Sequence, residues 1–425
     1  MAMPKAEMPT TPAIQIQETD MINRKKFDFL LLALMLLLII LGCVAIYTAS
    51  STLIGGQMST QNYWWKQIIF SVLAIAAVVG VLYLPMPVFE LFILPAFILN
   101  ILALVAVLFT PAVNGAHRWF NLGGIHLQPS ESAKLLSILV VARYISKEGL
   151  NEYKQMFYGF FIMLVPIALI MMEPDFGSTL LFWAALITML VAADLPLFLV
   201  LLLISPVISV VASVHWLVIL VWNLLLIYLL IRSRLSWVTI TVASIVNVFI
   251  SLIMPVFWVG LKDYQQNRIL TFIDPTRDPL GAGYQIIQAK IAIGSGYLNG
   301  KGWLLGTQKN MNFLPEHHTD FIFSVIGEEF GFLGSSLILL VFALFFGRLI
   351  FGIGQLKVRE RKVAASGIMA YLMFQSFINI GMNIGLVPAT GIPLPFISYG
   401  GSNLLINSVS VAVVLKYLNE RGFMK

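Results

Sequence analysis

The sequence FDFLLLALMLLLIILGCVAIY, from Phe27 to Tyr47, decides the fold class of this chain. It is an apolar run of about 20 residues, the length that an α-helix needs to cross the hydrocarbon core of a bilayer. It is also longer than the apolar region of a secretory signal peptide. We therefore interpret it as an uncleaved first membrane-spanning helix that follows a polar tail over residues 1–26.

The rest of the chain repeats this pattern. Its mean hydropathy is +0.91, and 59% of its residues are hydrophobic while 11% are charged. By length and hydropathy we find about twelve apolar segments. They cover roughly 27–50, 64–84, 87–110, 130–146, 157–173, 176–193, 196–213, 215–231, 236–259, 321–347, 364–388 and 400–418. A soluble core cannot hide so many apolar runs, so the sequence predicts an all-α polytopic membrane protein.

The basic residues predict how the chain threads the membrane. Arg24, Lys25 and Lys26 precede the first span, which places the N-terminus in the cytoplasm by the positive-inside rule. Alternation of the spans then places 17 of the 26 basic residues on the cytoplasmic side. The C-terminus falls on the same side, so we predict a multi-pass membrane protein with both termini in the cytoplasm.

The basic residues on the outer side are clustered. Nine of the 26 basic residues lie on this side, and eight of the nine fall within or beside two polar segments, around residues 111–134 and 260–310. Clustered cations at an outer membrane face indicate an anionic ligand, although solvated loop charge would give the same pattern.

The first outer segment reads NGAHRWFNLGGIHLQPSESAKLL, from Asn114 to Leu136. Arg118 offers a forked guanidinium that suits phosphate, and the adjacent Trp119 can lie at the headgroup level. Glu131 and Lys134 are three residues apart on the next helix, so they share a face and can form an ion pair. A lipid anchor and a local ion pair would explain the same residues without a binding site.

Several carboxylates fall within or beside the apolar segments. Asp175 lies in a very short connection between two spans, and Glu328 and Glu329 lie seven and eight residues into the tenth span. A carboxylate at membrane depth costs about 2.5 to 3.5 kcal/mol, so each should face a polar cavity or pair with a cation. The alternative for the two glutamates is a later helix start that leaves them in water.

The large outer segment, about residues 260–320, contains a rigid turn sequence. Asp274 and Asp278 are each followed by proline, which disfavours helix at the aspartate, and Gly281 and Gly283 follow. By spacing alone the two aspartates could be turn caps, a pair that binds a divalent metal, or a general base.

Two further strings border the cavity that we expect. The run from Glu316 to Asp320 has the wrong spacing for a zinc motif, and we expect Glu316 to turn toward the cavity. The string GIPLPFISYGG, residues 391–401, breaks the helix near the outer membrane edge. Irregular backbone at that depth is tolerated only against protein or a water-filled cavity, so Ser398 and Tyr399 are candidate cavity-lining residues.

Six strings together resemble the SEDS family (shape, elongation, division and sporulation) of bacterial cell-wall synthesis. They are NGAHRW, QPSESAKL, EPDFGSTLL, DPLGAGYQIIQAKIAIGSG, FLPEHHTDFIFSVIGEE and GIPLPFISYGGS, spread over residues 114–405. The version IAIGSGYLNGKGWLLGTQ is more similar to the elongation branch than to the division or sporulation branches.

This resemblance implies a fold and an activity. The fold would be a SEDS-like bundle of about 10 to 12 transmembrane helices in a single membrane domain, residues 27–425, with a large extracellular loop. The activity would be that of a peptidoglycan glycosyltransferase that polymerises lipid II into glycan strands at the outer face of the bacterial cytoplasmic membrane. Its expected partners are a class B penicillin-binding protein, the elongation machinery and membrane lipids, and not nucleic acid. No organic cofactor is implied, and Mg²⁺ or Mn²⁺ could help to neutralise pyrophosphate.

The resemblance also assigns roles to residues. The essential aspartate of the family maps onto Asp278. The residues that we expect to bind substrate come from this mapping and from the candidates described above. They are Arg118, Trp119, Glu131, Lys134, Asp175, Glu316, Asp320 and Ser398.

Two points leave alternatives open. The family core has ten spans, whereas three apolar runs stand in place of one near residues 196–259. The intramembrane carboxylates and the broken helix before Tyr399 would also suit a lipid II flippase or another transporter. A division or sporulation relative and a non-catalytic scaffold are the remaining alternatives.

Overall fold

The computed structural model describes residues 27–54, 57–60, 62–111, 117–122, 125–233, 235–260, 266, 270–271, 274, 282–310 and 318–419. Within them the chain forms two short antiparallel hairpins and fourteen helices. The strands are β1 (Ser51–Ile54), β2 (Gln57–Thr60), β3 (Phe120–Leu122) and β4 (Ile125–Leu127). The first nine helices are α1 (Phe29–Ser50), α2 (Tyr63–Tyr83), α3 (Met86–Val107), α4 (Pro129–Ile145), α5 (Glu152–Met172), α6 (Phe176–Ala192), α7 (Leu197–Ala212), α8 (Trp216–Arg232) and α9 (Trp237–Val259). The last five are α10 (Ala282–Ser295), α11 (Thr307–Asn310), α12 (Ile322–Ile353), α13 (Arg359–Ile384) and α14 (Gly401–Asn419).

The fold class predicted from the sequence is confirmed. Each of the twelve apolar segments forms one helix, α1 to α9 and α12 to α14, and α10 and α11 lie in the connection between α9 and α12. Eight of these helices are long and apolar enough to cross a membrane by themselves, and α6, α7 and α8 are shorter apolar helices. The remaining helix, α4, is 17 residues long and contains Glu131, Lys134 and Arg143, which lower its hydropathy.

Some helices begin earlier than the apolar segments do. The α5 helix begins at Glu152 because the Asn151 side chain accepts a hydrogen bond from the Lys154 amide (2.9 Å) and caps it. Likewise, α13 begins at Arg359, five residues before the apolar run. Hydropathy marks where a helix enters the bilayer, whereas caps and charged first turns mark where it begins.

Contacts between helix ends agree with alternating passage through the bilayer. We call the side with β1–β4 and α10 the loop side, and the side where α1 begins and α14 ends the terminal side. On the terminal side, Arg348 of α12 forms an ion pair with Asp28 (3.0 Å), at the start of α1. On the same side, the Arg359 guanidinium donates to the Ala193 carbonyl (2.5 Å). Both contacts join helix ends that alternation places on one side.

The helices pack around a buried centre and leave apolar side chains outside. α14 packs on α2, α13 on α6, α4 on α3 and α5, and α1 on α12. Large apolar side chains of α2, α3, α8 and α9 are exposed, as expected of surfaces that face lipid tails. The chain is therefore an integral membrane protein.

The additional apolar runs near residues 196–259 form a three-helix unit, α7 to α9. Asn247 of α9 is its centre: its amide donates to the Ser205 hydroxyl (3.0 Å), and its carbonyl oxygen accepts from the Ser209 hydroxyl (2.7 Å). The Trp222 indole of α8 donates to Ser209 (2.8 Å). Small and polar residues of this kind join helices where lipid removes the hydrophobic driving force. The unit meets the rest of the bundle where α7 contacts α6.

Candidate functional site

A small cavity lies toward the loop side of the bundle. Its volume is about 60 Å³, and α4, α6, α13 and the irregular segment before α14 form its walls. The residues that line it are Arg118, Trp119, Gln128, Glu131, Lys134, Asp175, Ser178, Leu181, Gln375, Gly391, Ile392 and Pro393. The structure thus brings five of the predicted site residues into one cavity.

Glu131 and Lys134 form the ion pair that their spacing predicts. The Lys134 Nζ atom lies 2.9 Å from Glu131 Oε2, and the two residues are 2% and 4% exposed. Asn403 of α14 donates to the same carboxylate oxygen (2.8 Å), and the Tyr371 ring lies 5.6 Å from Lys134 Nζ. Proline at the first position of α4 starts the helix so that this pair sits on its first turns. Because the pair is buried and lines a cavity, it is more than a surface ion pair.

Arg118 is held by the connection between α5 and α6. Its Nε donates to the Glu173 carbonyl (3.0 Å) and its Nη2 to the Pro174 carbonyl (2.5 Å). Its Nη1 lies 3.9 Å from Asp175 Oδ1. The side chain is 24% exposed, so the guanidinium is accessible from the cavity. An arginine fixed in this way presents a planar charge to an anion without a large loss of side-chain entropy.

Asp175 caps α6 and faces the cavity. Its carboxylate accepts hydrogen bonds from the Ser178 amide (3.2 Å) and the Ser178 hydroxyl (2.8 Å). The prediction that this carboxylate faces a polar interior is therefore confirmed. A serine three residues after an N-cap aspartate is a usual helix start, so Asp175 both shapes the helix and contributes charge to the cavity.

Glu173, next to this site, has an unusual environment. Its side chain is fully buried, and neither carboxylate oxygen has a hydrogen-bond partner within the described part of the chain. Burial raises the pKa of Glu173 to about 8, the nearby Asp175 adds to this rise, and Arg118 partly opposes it. The carboxyl group is therefore largely protonated at neutral pH.

Asp320 and Ser398 lie at the edge of the cavity. The Asp320 carboxylate approaches Gly391, which lines the cavity. The backbone carbonyl of Asp320 accepts hydrogen bonds from the side-chain amides of Asn379 and Asn383 (2.9 and 3.0 Å). The Ser398 hydroxyl donates to the Thr319 carbonyl (2.6 Å) and accepts from the Leu394 amide (2.7 Å). Ser398 is 3% exposed and does not line the cavity, so its hydroxyl is used to fold the segment before α14.

Tyr399, the other candidate from that segment, lies in an aromatic cluster. The Tyr63 ring stacks on His318 with 4.1 Å between centroids and meets Tyr399 edge to face at 5.1 Å. Burial raises the pKa of Tyr399, and Tyr63 adds to the rise. These rings join the start of α2 to the two segments that precede α12 and α14.

Two predicted site residues, Asp278 and Glu316, lie outside the described residues. Of the aspartate pair in the turn sequence, only Asp274 is described, and its amide donates to the Leu270 carbonyl (2.9 Å). The catalytic role of Asp278 and the binding role of Glu316 stay predictions.

Sequence reasoning missed several polar residues of the site. Gln375 of α13 lines the cavity and donates to the Pro393 carbonyl (2.9 Å), while Asn403 holds Glu131. The available signal was an uncharged amide inside an apolar helix, which usually faces the bundle interior. Each of these side-chain amides forms a hydrogen bond with a residue from another part of the chain, so the sequence alone could not identify its partner.

The Mg²⁺ or Mn²⁺ ion also stays a prediction. Among the described residues, no three His, Cys, Asp or Glu side chains lie close enough together to hold a metal ion.

Comparison with protein families and curated proteins gives consistent results. The FTSW_RODA_SPOVE family model, described as a cell cycle protein, matches residues 28–224 and 216–421. The peptidoglycan glycosyltransferase MrdB of Escherichia coli (strain K12) is 33% identical over 415 residues, covering 96% of this chain and 99% of that protein. The peptidoglycan glycosyltransferase RodA of Treponema pallidum is 31% identical over 431 residues, covering 93% and 98%.

Solved structures show the same fold. One is a chain from a peptidoglycan synthase complex that coordinates polymerization and crosslinking. It superposes on this chain with a TM-score of 0.70 at 25% identity, covering 93% of this chain and 99% of that one. The rod shape determining protein RodA of Thermus thermophilus superposes with a TM-score of 0.61 at 21% identity, covering 95% and 100%.

Proposed function

This chain belongs to the FtsW/RodA/SpoVE family of cell cycle proteins, and from that premise we propose that it is a peptidoglycan glycosyltransferase. It joins the disaccharide units of lipid II into glycan strands at the outer face of the cytoplasmic membrane during cell elongation. The names of its relatives MrdB and RodA support both the reaction and the elongation role.

One observation carries this proposal: two cations, Arg118 and Lys134, meet in one cavity of an otherwise apolar bundle. Charged groups within a membrane bundle are costly and mark functional sites. Lipid II carries a pyrophosphate between its sugar and its lipid, and a cation pair suits such a group. The cavity lies toward the loop side, which the positive-inside rule places outside the cell.

The proposed reaction is a displacement at one sugar carbon. The 4-hydroxyl oxygen of the acceptor sugar forms a bond to C1 of the donor sugar, and the bond from C1 to the pyrophosphate oxygen breaks with inversion. Asp278 accepts the hydroxyl proton as a general base, a contribution worth about 10² to 10⁴ in rate. The lipid pyrophosphate leaves with the bonding electron pair, and Arg118 and Lys134 stabilise its charge.

The volume of the cavity indicates which part of the substrate it holds. A volume of about 60 Å³ is far below that of pockets that enclose a whole small molecule, which are on the order of 300 to 1,000 Å³. It matches a phosphate group better than a disaccharide. The sugars therefore lie outside the cavity, on the loop side of the bundle.

The partner and orientation belong to the same proposal. A class B penicillin-binding protein would crosslink the strands that this chain makes, and the similarity to a chain from a peptidoglycan synthase complex supports it. The excess of basic residues on the terminal side supports cytoplasmic N- and C-termini.

The test is polymerisation of purified lipid II by this protein together with a class B partner whose transpeptidase is inactivated. We compare the wild type with Asp278→Ala and Lys134→Met, after showing that each variant folds and binds the partner. Wild-type protein should make glycan strands. Asp278→Ala should make none, and Lys134→Met should be slower by about 10²-fold or more because it loses a preorganised charge.

A transporter gives a different result in the same system. If the wild type makes no strands but moves lipid II across a vesicle bilayer, the glycosyltransferase proposal is wrong. If Asp278→Ala retains full polymerisation, the reaction stands but its base is another residue.

A further inference from the structure

The α12 helix is interrupted within the bundle. Gly331 has φ 64° and ψ −159°, a backbone conformation that essentially only glycine adopts, although helix continues on both sides of it. An interruption frees backbone N–H and C=O groups, and such groups must find other partners inside a membrane protein.

The chain that follows α10 supplies these partners. The Lys301 and Gly302 amides donate to the Glu328 and Glu329 carbonyls (2.9 and 3.1 Å). In return, the Phe332 and Leu333 amides donate to the Tyr297 and Leu298 carbonyls (2.8 and 3.1 Å). We call residues 296–310 the docked segment, because four backbone hydrogen bonds seat them on the interruption of α12.

Glycines allow this close approach. A Cβ atom added at Gly296 would overlap the Gly327 carbonyl, and one added at Gly300 would overlap the Glu329 carbonyl. The docked segment and α12 are thus in direct backbone contact. A shift of even one residue would bring a side chain into this contact, so the register is sharply defined.

Two ion pairs add to the same contact. Lys301 Nζ lies 2.6 Å from Glu328 Oε1, which also accepts from the Thr307 amide (2.8 Å). Lys309 pairs with Glu329, both with fully buried side chains, and also donates to the Thr48 carbonyl at the end of α1 (2.5 Å). The prediction that Glu328 and Glu329 pair with cations is confirmed.

Stability alone does not account for these pairs. A buried ion pair is often no more stabilising than apolar residues of the same size, because desolvation offsets its attraction. Its better attested effect is to specify one arrangement over others, since a shifted register leaves charges buried and unpaired.

The docked segment is continuous with α10, which begins four residues after Asp278. α10 packs on α12 and α13, and its Lys290 lies against Gly385 at the end of α13, just before the lining residues 391–393. An anchor at one end of α10 therefore fixes how this helix packs on α12 and α13.

We infer that Lys301, Lys309, Glu328 and Glu329 are positioning residues: they hold α10, the helix that follows the predicted base Asp278 in the sequence, against α12, and the rate of catalysis depends on this placement. This inference rests on the proposed function. A helix of 14 residues is about 21 Å long, so a tilt of about 2° at the anchored end moves the other end by about 0.7 Å. A misplacement of about 1 Å can cost about 10²-fold in rate. The anchor thus acts on catalysis without touching substrate.

The experiment uses Lys301 because its side chain is partly exposed and because the Glu328 carboxylate keeps the Thr307 amide and hydroxyl as donors when Lys301 is replaced. Lys301→Met keeps the aliphatic stem and removes the charge, and Lys301→Arg keeps the ion pair. Lys66→Met removes an exposed cation of α2 and is the matched control. All are assayed with full-length protein, its class B partner and lipid II, and amide hydrogen exchange is measured on the same samples.

We expect Lys301→Met to lower kcat about tenfold with the KM for lipid II within about twofold, because the substrate site stays intact while the base is displaced. Lys301→Arg should restore kcat, and Lys66→Met should match the wild type. Amides of α10 and the docked segment should exchange faster in Lys301→Met, while those of α4 and α6 should not change.

Three results would overturn the inference: an unchanged kcat in Lys301→Met, a loss that appears only in KM, or faster exchange throughout the bundle, which indicates general destabilisation. If the wild type itself makes no strands, the proposed function fails first. Unchanged exchange in the docked segment would then show separately that Lys301 does not anchor it.

Discussion

At the scale of single residues, two buried glutamates near the cavity differ in their partners. Glu131 accepts hydrogen bonds from Lys134 and Asn403, so its charge is compensated. Glu173 is buried without a hydrogen-bond partner among the described residues, and its pKa is raised to about 8. Burial alone does not decide whether a carboxyl group is charged, because an adjacent cation or amide can offset the cost of desolvation.

This difference predicts a pH dependence of stability. In the unfolded chain Glu173 loses its proton near pH 4.5, whereas in the folded protein it keeps the proton until about pH 8. The stability that this group contributes is therefore full below pH 4.5 and is lost between about pH 4.5 and 8. Glu173→Gln should abolish this loss, so the variant should have the higher Tm at pH 8.5 and a similar Tm at pH 5.

Glu152→Gln is the control, because Glu152 is exposed on the first turn of α5. Thermal unfolding in detergent at pH 5, 7 and 8.5 gives the comparison. A Glu173→Gln protein that destabilises with pH as steeply as the wild type would show that Glu173 is ionised in the folded state.

At the scale of elements, two helices of this protein break or end at a glycine with a positive φ angle. α12 is broken at Gly331 against the docked segment, and α13 ends at Gly385 in the left-handed conformation (φ 77°) before the irregular segment that reaches α14. Both breaks put backbone beside the loop side, where the candidate site lies. The two glycines therefore shape the backbone near the loop side without lining the cavity.

Gly331 and Gly347 allow a matched test within α12. Gly331→Ala would force alanine into a positive φ and place its Cβ 2.7 Å from the Leu298 carbonyl, so it should destabilise the protein by about 1 to 3 kcal/mol or more. Nothing lies within 4 Å of a Cβ at Gly347, so Gly347→Ala should be neutral or stabilise by up to about 1 kcal/mol. Tm values in detergent give the comparison, and equal values for both variants would contradict the role of the interruption.

At the scale of the whole molecule, the helices that enclose the cavity and the unit formed by α7 to α9 have different roles. α4, α6, α13 and the segment before α14 enclose the cavity, whereas α7 to α9 form a unit that meets the bundle at the contact between α6 and α7. This unit is held by the hydrogen bonds of Asn247 with Ser205 and Ser209. Its stability and the chemistry of the cavity should therefore be separable.

Asn247→Leu tests this separation. Loss of the hydrogen bonds should destabilise the protein by about 0.6 to 2 kcal/mol, the range found for such bonds between membrane helices. The kcat for lipid II polymerisation should remain within about twofold, because no residue of α9 lines the cavity that holds the cation pair of the proposed mechanism. Val248→Leu, at a lipid-facing neighbour, is the control for detergent stability and rate. A large fall in kcat for Asn247→Leu alone would show that α7 to α9 act on the site.

The sequence by itself determined the twelve helices and the ion pair between Glu131 and Lys134. It did so because both follow from local spacing: membrane length defines a span, and a separation of three residues places two side chains on one helical face. The sequence also predicted that Glu328 and Glu329, if buried, face a polar cavity or pair with cations, since an unpaired charge at membrane depth is costly.

Only the tertiary structure decided which groups meet across the chain. It places Arg118 beside Asp175, Asn403 on Glu131, and Lys301 and Lys309 on Glu328 and Glu329. The need for a partner is a local property of a buried charge, but the choice among many possible partners depends on how the helices pack. Spacing along the chain carries no information on that packing, because lipid-facing and helix-facing apolar surfaces have similar composition.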